Sequence, residues 1–194
     1  TSLAAQSMAS RIELTIINNR SSASARVAIE NAAAGLFPGR YAIIEHDAPF
    51  NHSVQTNLGV ATATSAHICL IDSDVILHDP RTLETLLLLA QNPETATAGC
   101  MLLEQRPGKS DAVRFRSAGV FPAGLTFGGR ARINLVEPDC GAIFGPAVYP
   151  VAANSFALSV VRRDCWEATG GLDPLRLGSD FNDADYCLRA MDKG

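Results

Sequence analysis

The apolar positions of this chain change period along its length, and the changes mark out alternating elements. In residues 11–18, Ile12, Leu14, Ile16 and Ile17 form an alternating, isoleucine-rich run that predicts a strand, closed by the turn residues Asn18-Asn19-Arg20-Ser21-Ser22. Residues 23–36 are alanine-rich with apolar positions at helical spacing, and Gly35 and Pro38-Gly39 end that helix. A short strand follows at 41–45. Asn51 or Ser53 then caps a helix carrying Val54, Leu58 and Val60 and ending near Thr64. The apolar run His67-Ile68-Cys69-Leu70-Ile71 predicts a buried strand that leads straight into Asp72-Ser73-Asp74. A helix is expected at 81–90 after Asp79-Pro80, with Pro at its first turn, and a strand at 97–103.

Strand–helix alternation of this kind favours an α/β sheet that is largely parallel, whose ligands collect at the carboxyl ends of its strands. Residues 104–150 break the pattern: they are rich in Gly, Pro and Arg, with short extended pieces such as 112–115, and read as an elaborated connection on the acceptor side. Residues 151–161 are strand-like again. A short helix at 163–169 is stopped by Gly170-Gly171, and a last helix within 180–191 places Ala184, Cys187, Leu188 and Met191 at core spacing. The opening stretch 3–8 also has helical spacing.

Composition adds limits. The 194 residues are 47% hydrophobic and 19% charged, enough for one ordinary domain with a sizeable core. The net charge of −4, without a Lys/Arg run, offers nothing to nucleic acid or an anionic membrane. No apolar run is long enough to span a bilayer. The five cysteines show no paired or metal-ligand spacing and point to a reducing compartment. No Gly-x-Gly-x-x-Gly or P-loop occurs, against a dinucleotide dehydrogenase or a kinase.

Two acidic groups could carry chemistry. Asp72 and Asp74 end an apolar strand, where unpaired charge is expensive; a hard divalent cation would relieve that cost and neutralise a leaving diphosphate, whereas the plain alternative is a cap or a solvated turn. Asp180, Asp183 and Asp185 crowd the start of the last helix. A positioned carboxylate there can take the proton of an attacking hydroxyl, or the three simply favour a helix N-terminus. The pair Gly170-Gly171 admits a close backbone approach or only stops a helix. Trp166 reads as core, and His46, His52, His67 and His78 as structural residues at no metal-ligand spacing.

In this order the pieces resemble glycosyltransferase family 2. The resemblance is carried by Ser2-Leu3-Ala4-Ala5-Gln6-Ser7, by residues 12–21, by Pro49-Phe50-Asn51-His52-Ser53 through Asn57-Leu58-Gly59, and by Leu70-Ile71-Asp72-Ser73-Asp74. Most specific is the tail: Val161-Arg162-Arg163, Gly170-Gly171-Leu172-Asp173, then Phe181-Asn182-Asp183-Ala184-Asp185-Tyr186-Cys187-Leu188-Arg189. The resemblance implies a single GT-A-type, Rossmann-like α/β domain over 1–194, a mostly parallel sheet flanked by helices, with a nucleotide-binding half at 1–103 and an acceptor-side half at 104–194. It also implies that the family's first strand and C-terminal part lie outside these residues, and that the chain by itself is poorly active.

Carried over position by position, the resemblance implies a metal (Mn²⁺ or Mg²⁺) on Asp74 and Asp72, with Asp72 also touching the donor. Asn18, Asn57 and Asn154 fall at donor-binding positions, Asn18 in place of a more usual Asp. Asp183 is the implied base of an inverting transfer from a nucleotide-diphosphate sugar to a carbohydrate or glycolipid acceptor in polysaccharide biosynthesis. The implied location is cytoplasmic, or peripheral at the inner face of the membrane. Two rivals stand beside it. Asp72 and Asp74 could be nucleophile and acid of a haloacid-dehalogenase-like phosphatase, although Ile76 stands where that pattern wants Thr or Val. A non-catalytic, carbohydrate- or nucleotide-binding remnant of the fold is the other.

Overall fold

The computed structural model describes residues 1–105, 113–127, 130–136 and 148–193. Strand β1 (Leu14–Asn18) runs parallel to β2 (Tyr41–Glu45), in register from Leu14 opposite Tyr41 to Asn18 opposite Glu45. Between them lies α1 (Ala23–Leu36), whose first turn is capped by Ser22 accepting from the N–H of Ala25 at 3.2 Å. Helix α2 (His52–Thr62) begins at Asn51, whose Oδ1 accepts from Val54 N at 2.9 Å. Then come β3 (His67–Ile71), α3 (Thr82–Ala90) and β4 (Thr97–Gly99). The run expected as one strand at 97–103 is broken after Gly99 and resumes as β5 (Leu102–Gln105), which pairs with β6 (Val113–Ser117). A second hairpin joins β7 (Phe121–Phe127) to β8 (Arg130–Val136). The chain returns through β9 (Leu158–Arg162), α4 (Arg163–Thr169) and α5 (Asn182–Asp192).

The opening stretch is not the helix its spacing suggests. Residues 2–8 form turns, followed by one turn of 3₁₀-helix at Ala9–Arg11. The cause is tertiary: Ser7 N–H donates to Pro80 O at 2.7 Å instead of continuing a helical ladder, and Gln6 turns inward to serve α3. That helix has no side-chain cap of its own at Arg81, so Gln6 Oε1 accepts from Leu83 N at 3.1 Å while its Nε2 donates to Asp79 O at 2.9 Å.

The α/β architecture is as the sequence predicts, but its central ladder is mixed. β9 lies between β3 and β4 and is antiparallel to both, so among the described residues only β1 and β2 form a parallel ladder. The long excursion after β5 brings the chain back from the opposite end, which a parallel crossover would not do. β9 therefore inserts into the sheet of the first half, across the division at 103. Its strand begins only at Leu158, because upstream Ala153 is bridged to Val120. Among the described residues β1 and β3 do not pair, and the sheet consists of two parts.

Alternation along β9 fills both faces of the larger sheet. Leu158 and Val160 join Leu83, Leu86, Ala90 and Ala98 under α3. Val161 points the other way, with Ile68, Val60, Trp166, Tyr186 and Cys187, under α2, α4 and α5. Tyr186 is wholly buried, edge-on to Phe156 at 5.3 Å and 4.9 Å from Trp166. Burial pushes the Cys187 thiol up to about 11, as expected of a small buried hydrophobe.

Residues 169–178 are tied down from two sides. Arg189 on α5 donates to the carbonyls of Thr169 (2.7 Å) and Gly171 (2.8 Å), closing the end of α4, and pairs with Asp185. Asn57 on α2 donates to Leu172 O at 2.9 Å and accepts from Leu172 N at 3.0 Å. The two glycines between them are not equivalent. Both have positive φ, +79° at Gly170 and +72° at Gly171. A Cβ at Gly170 meets nothing within 4 Å, but at Gly171 it would lie 2.8 Å from Asn57 Oδ1 and 3.0 Å from Trp166 Nε1. Gly170→Ala is therefore expected to cost about 1 kcal/mol for its left-handed backbone alone, and Gly171→Ala about 1–3 kcal/mol more for the collision. Urea unfolding midpoints of the two variants, read at constant slope, check this ordering.

Candidate functional site

Three element ends converge on one cleft. β3 delivers Asp72 at its carboxyl end, where the Asp72 N–H is held by Ala157 O at 2.9 Å. α2 starts at His52, and α5 starts at Asn182 with Asp183 in its first turn. Together with Ser155 and Phe50 these side chains line a cavity of about 270 Å³. The orientation of Asp183 is set twice: its Oδ1 accepts from Ala184 N at 2.7 Å and its Oδ2 from Phe156 N at 3.4 Å. Helix N-termini favour negative charge, and Asp183 occupies that position on α5. The residue before α5, Phe181, has φ +59° and lies 74% exposed, a left-handed conformation that costs a bulky residue strain and turns the chain sharply into the helix.

The acidic cluster expected around Asp183 is dispersed. Asp185 is spent on Arg189, and Asp180 is exposed. Asp72 faces a different neighbour: Nε2 of His52 lies 3.6 Å from its Oδ1.

A larger cavity of about 510 Å³ adjoins through Phe50, which lines both. Its walls include Ile16, Ile17, Asn18 and Arg20 at the end of β1, and Ser73. Asn18 is buried; its Nδ2 donates to Glu45 Oε2 at 2.7 Å, while its Oδ1 has no partner. A buried acceptor left unpaired costs about 1–3 kcal/mol.

The other residues expected at the donor or metal are absent from the walls of both cavities. Both functions of the Asn57 amide are committed to Leu172. Asn154 donates to the carbonyl and hydroxyl of Thr97 (3.3 and 2.9 Å), bracing β4. Neither lines either of these two cavities. Asp74 is exposed and lines neither cavity, and among the described residues it has no ion-pair partner. Sequence reasoning passed over His52 and Asn182 as site residues. The available signal was their place at the starts of two helices, one directly after the cap Asn51 and one directly before Asp183.

Among the described residues no group of three or more His, Cys, Asp or Glu side chains could hold a metal. The described residues thus offer no complete cage. Its donor set of one or two carboxylate oxygens fits Mg²⁺ or Mn²⁺ in the mode where phosphate oxygens and water complete the shell.

The chain is 28% identical over 159 residues to the uncharacterized protein y4gI of Sinorhizobium fredii (80% of this chain, 16% of that protein). It is 28% identical over 130 residues to the O-antigen biosynthesis protein RfbC of Myxococcus xanthus (66% of this chain, 10% of that protein). It therefore spans only a small part of the length of these curated relatives. In fold it is similar to the mannosyltransferase PcManGT from Pyrobaculum calidifontis, solved in complex with GDP-Man and Mn²⁺, with a TM-score of 0.62 at 13% identity, covering 95% of this chain and 44% of that one. The family model described as glycosyltransferase like family 2 matches residues 1–194, and the chain belongs to that family.

Proposed function

We propose that this domain transfers a sugar from a nucleotide-diphosphate sugar to an acceptor hydroxyl, with inversion, and that Asp183 is its base. The observation that carries the reading is the placement of Asp72 and Asp183 on the walls of one cavity, next to a second cavity lined by the end of β1. The nucleotide occupies the larger cavity, whose wall includes Asn18. The sugar reaches into the smaller one. The acceptor oxygen attacks the anomeric carbon from the Asp183 side, a new C–O bond forms as the bond to the diphosphate breaks, and the hydroxyl proton passes to the Asp183 carboxylate. Fixed by two backbone N–H groups, that carboxylate needs little reorganisation as the proton arrives. Asp72 and Asp74 are the residues that would hold a divalent cation, which supplies charge neutralisation at the leaving diphosphate.

Family membership displaces the phosphatase reading of Asp72 and Asp74. The name of the RfbC relative, an O-antigen biosynthesis protein, supports a role in polysaccharide biosynthesis; a carbohydrate or glycolipid acceptor and a cytoplasmic or peripheral membrane location belong to the same proposal. Among the described residues no helix is long and apolar enough to cross a membrane.

Calorimetry with GDP, UDP and dTDP, each with and without Mn²⁺, tests the donor site. One nucleotide is expected to bind only with metal, and Asp74→Ala or Asp72→Ala to weaken it about tenfold or more. Binding that survives Asp74→Ala and needs no metal would identify a non-catalytic nucleotide-binding remnant instead. With donor and acceptor in hand, Asp183→Asn is expected to lower turnover by about 10²–10⁴ while nucleotide affinity stays unchanged. Retained turnover would remove Asp183 as the base. Asn57→Ala should behave oppositely, lowering the unfolding midpoint and leaving nucleotide affinity alone; a selective loss of affinity would return Asn57 to the donor site.

A further inference from the structure

His52 is joined to the interior by a chain of polar groups whose proton directions can be assigned one by one. At its inner end, Ser53 Oγ donates to Leu177 O at 2.5 Å. A hydroxyl has one proton, so toward Asn182 the same oxygen can only accept, and Asn182 Nδ2 donates to it at 3.1 Å. That assignment also settles which end of the Asn182 amide is nitrogen. The second proton of Nδ2 is directed at His52 Nδ1, 3.2 Å away. Nδ1 is then an acceptor, and a neutral imidazole with Nδ1 unprotonated carries its proton on Nε2. Nε2 is the atom facing Asp72 Oδ1 at 3.6 Å.

Ser53 is 0% and Asn182 4% exposed, so a member of this chain with a wrong partner would be left unsatisfied out of reach of water. At the outer end, among the described residues no protein group bonds the other oxygen of Asp72.

We propose that His52 is a positioning residue for Asp72, with its Nε2–H tautomer imposed by Ser53 and Asn182. The ring proton draws one carboxylate oxygen of Asp72 toward α2 and leaves the other for the donor side of the cavity. Asn182 acts through His52, beside but separate from the role of Asp183. The proposal rests on the transferase reading for what Asp72 holds, but not for the tautomer itself.

Two measurements test it. Long-range proton–nitrogen spectra of the imidazoles, with the His52 signal assigned by its loss in His52→Gln, are expected to show the Nε2–H tautomer. Asn182→Ala should turn it into a mixture. An Nδ1–H tautomer in the unaltered chain would overturn the relay, whether or not any variant folds. The second measurement is affinity for the metal-dependent nucleotide in the presence of Mn²⁺. His52→Phe keeps the ring volume without nitrogen and is expected to weaken binding about tenfold, whereas His52→Gln, which retains a donor near Nε2, should stay within about threefold. Equal affinity in both variants, lost or kept, would overturn the positioning role. If the unaltered chain binds no nucleotide with Mn²⁺, the transferase reading falls and takes the role toward Asp72 with it, while the spectrum still decides the relay.

Discussion

The arrangement of the site depends on how α2 is fastened to the segment between α4 and α5. Three polar side chains on or just before that helix reach across the molecule to backbone carbonyls: Asn51 to Pro174 at 3.0 Å, Ser53 to Leu177 and Asn57 to Leu172. Each joins residues more than a hundred positions apart. Buried polar groups hold geometry tightly because any misfit leaves a donor or acceptor unpaired. Glycines let the chains approach this closely. At Gly171 there is no room for a Cβ beside Asn57, and at Gly178 a Cβ would come within 2.9 Å of Asn51 Nδ2.

From that fastening the cleft follows. α2 and α5 both begin beside the end of β3, so Asp72 and Asp183 share a cavity with two helix N-termini, and the Asp183 carboxylate also accepts from two backbone N–H groups. Short side chains are sufficient because the backbone already lies within reach. The wall between Asp72 and Asp183 is the stretch 155–157, whose N–H and C=O groups serve both: Phe156 N–H on Asp183 and Ala157 O on the Asp72 amide. Moving either acid therefore disturbs the seat of the other.

What could be read from the sequence was local. Helix Ala23–Leu36 and strands Tyr41–Glu45 and His67–Ile71 emerge at the expected positions, because their periodicity and stop residues agree with what they pack against. The cap at Asn51 is equally local. The insertion of β9 between β3 and β4 was not legible, since it depends on where a long excursion re-enters the sheet. The turns at 2–8 were hidden for a similar reason: the amide that would continue a helix finds Pro80 instead. At the cleft, residue type indicated Asp72 and Asp183. Asn57 and Asn154 have the same donor and acceptor groups whether they meet a ligand or the backbone, and only their neighbours reveal that Leu172 and Thr97 already occupy them. His52 was obscured because nothing in its spacing shows that Asn182 lies behind it.

The two-part sheet has a further consequence. Among the described residues, the unit formed by β1, α1 and β2 meets the rest where α2 packs on β1 and where Arg40 donates to the Ala9 and Ile12 carbonyls at 2.8 and 2.7 Å. The larger cavity lies across that seam, with Asn18 on one side and Ser73 on the other. A molecule lodged there touches both parts, and its binding free energy opposes their separation. Such a ligand would act as mortar, tying the β1–β2 unit to the larger sheet for as long as it is bound.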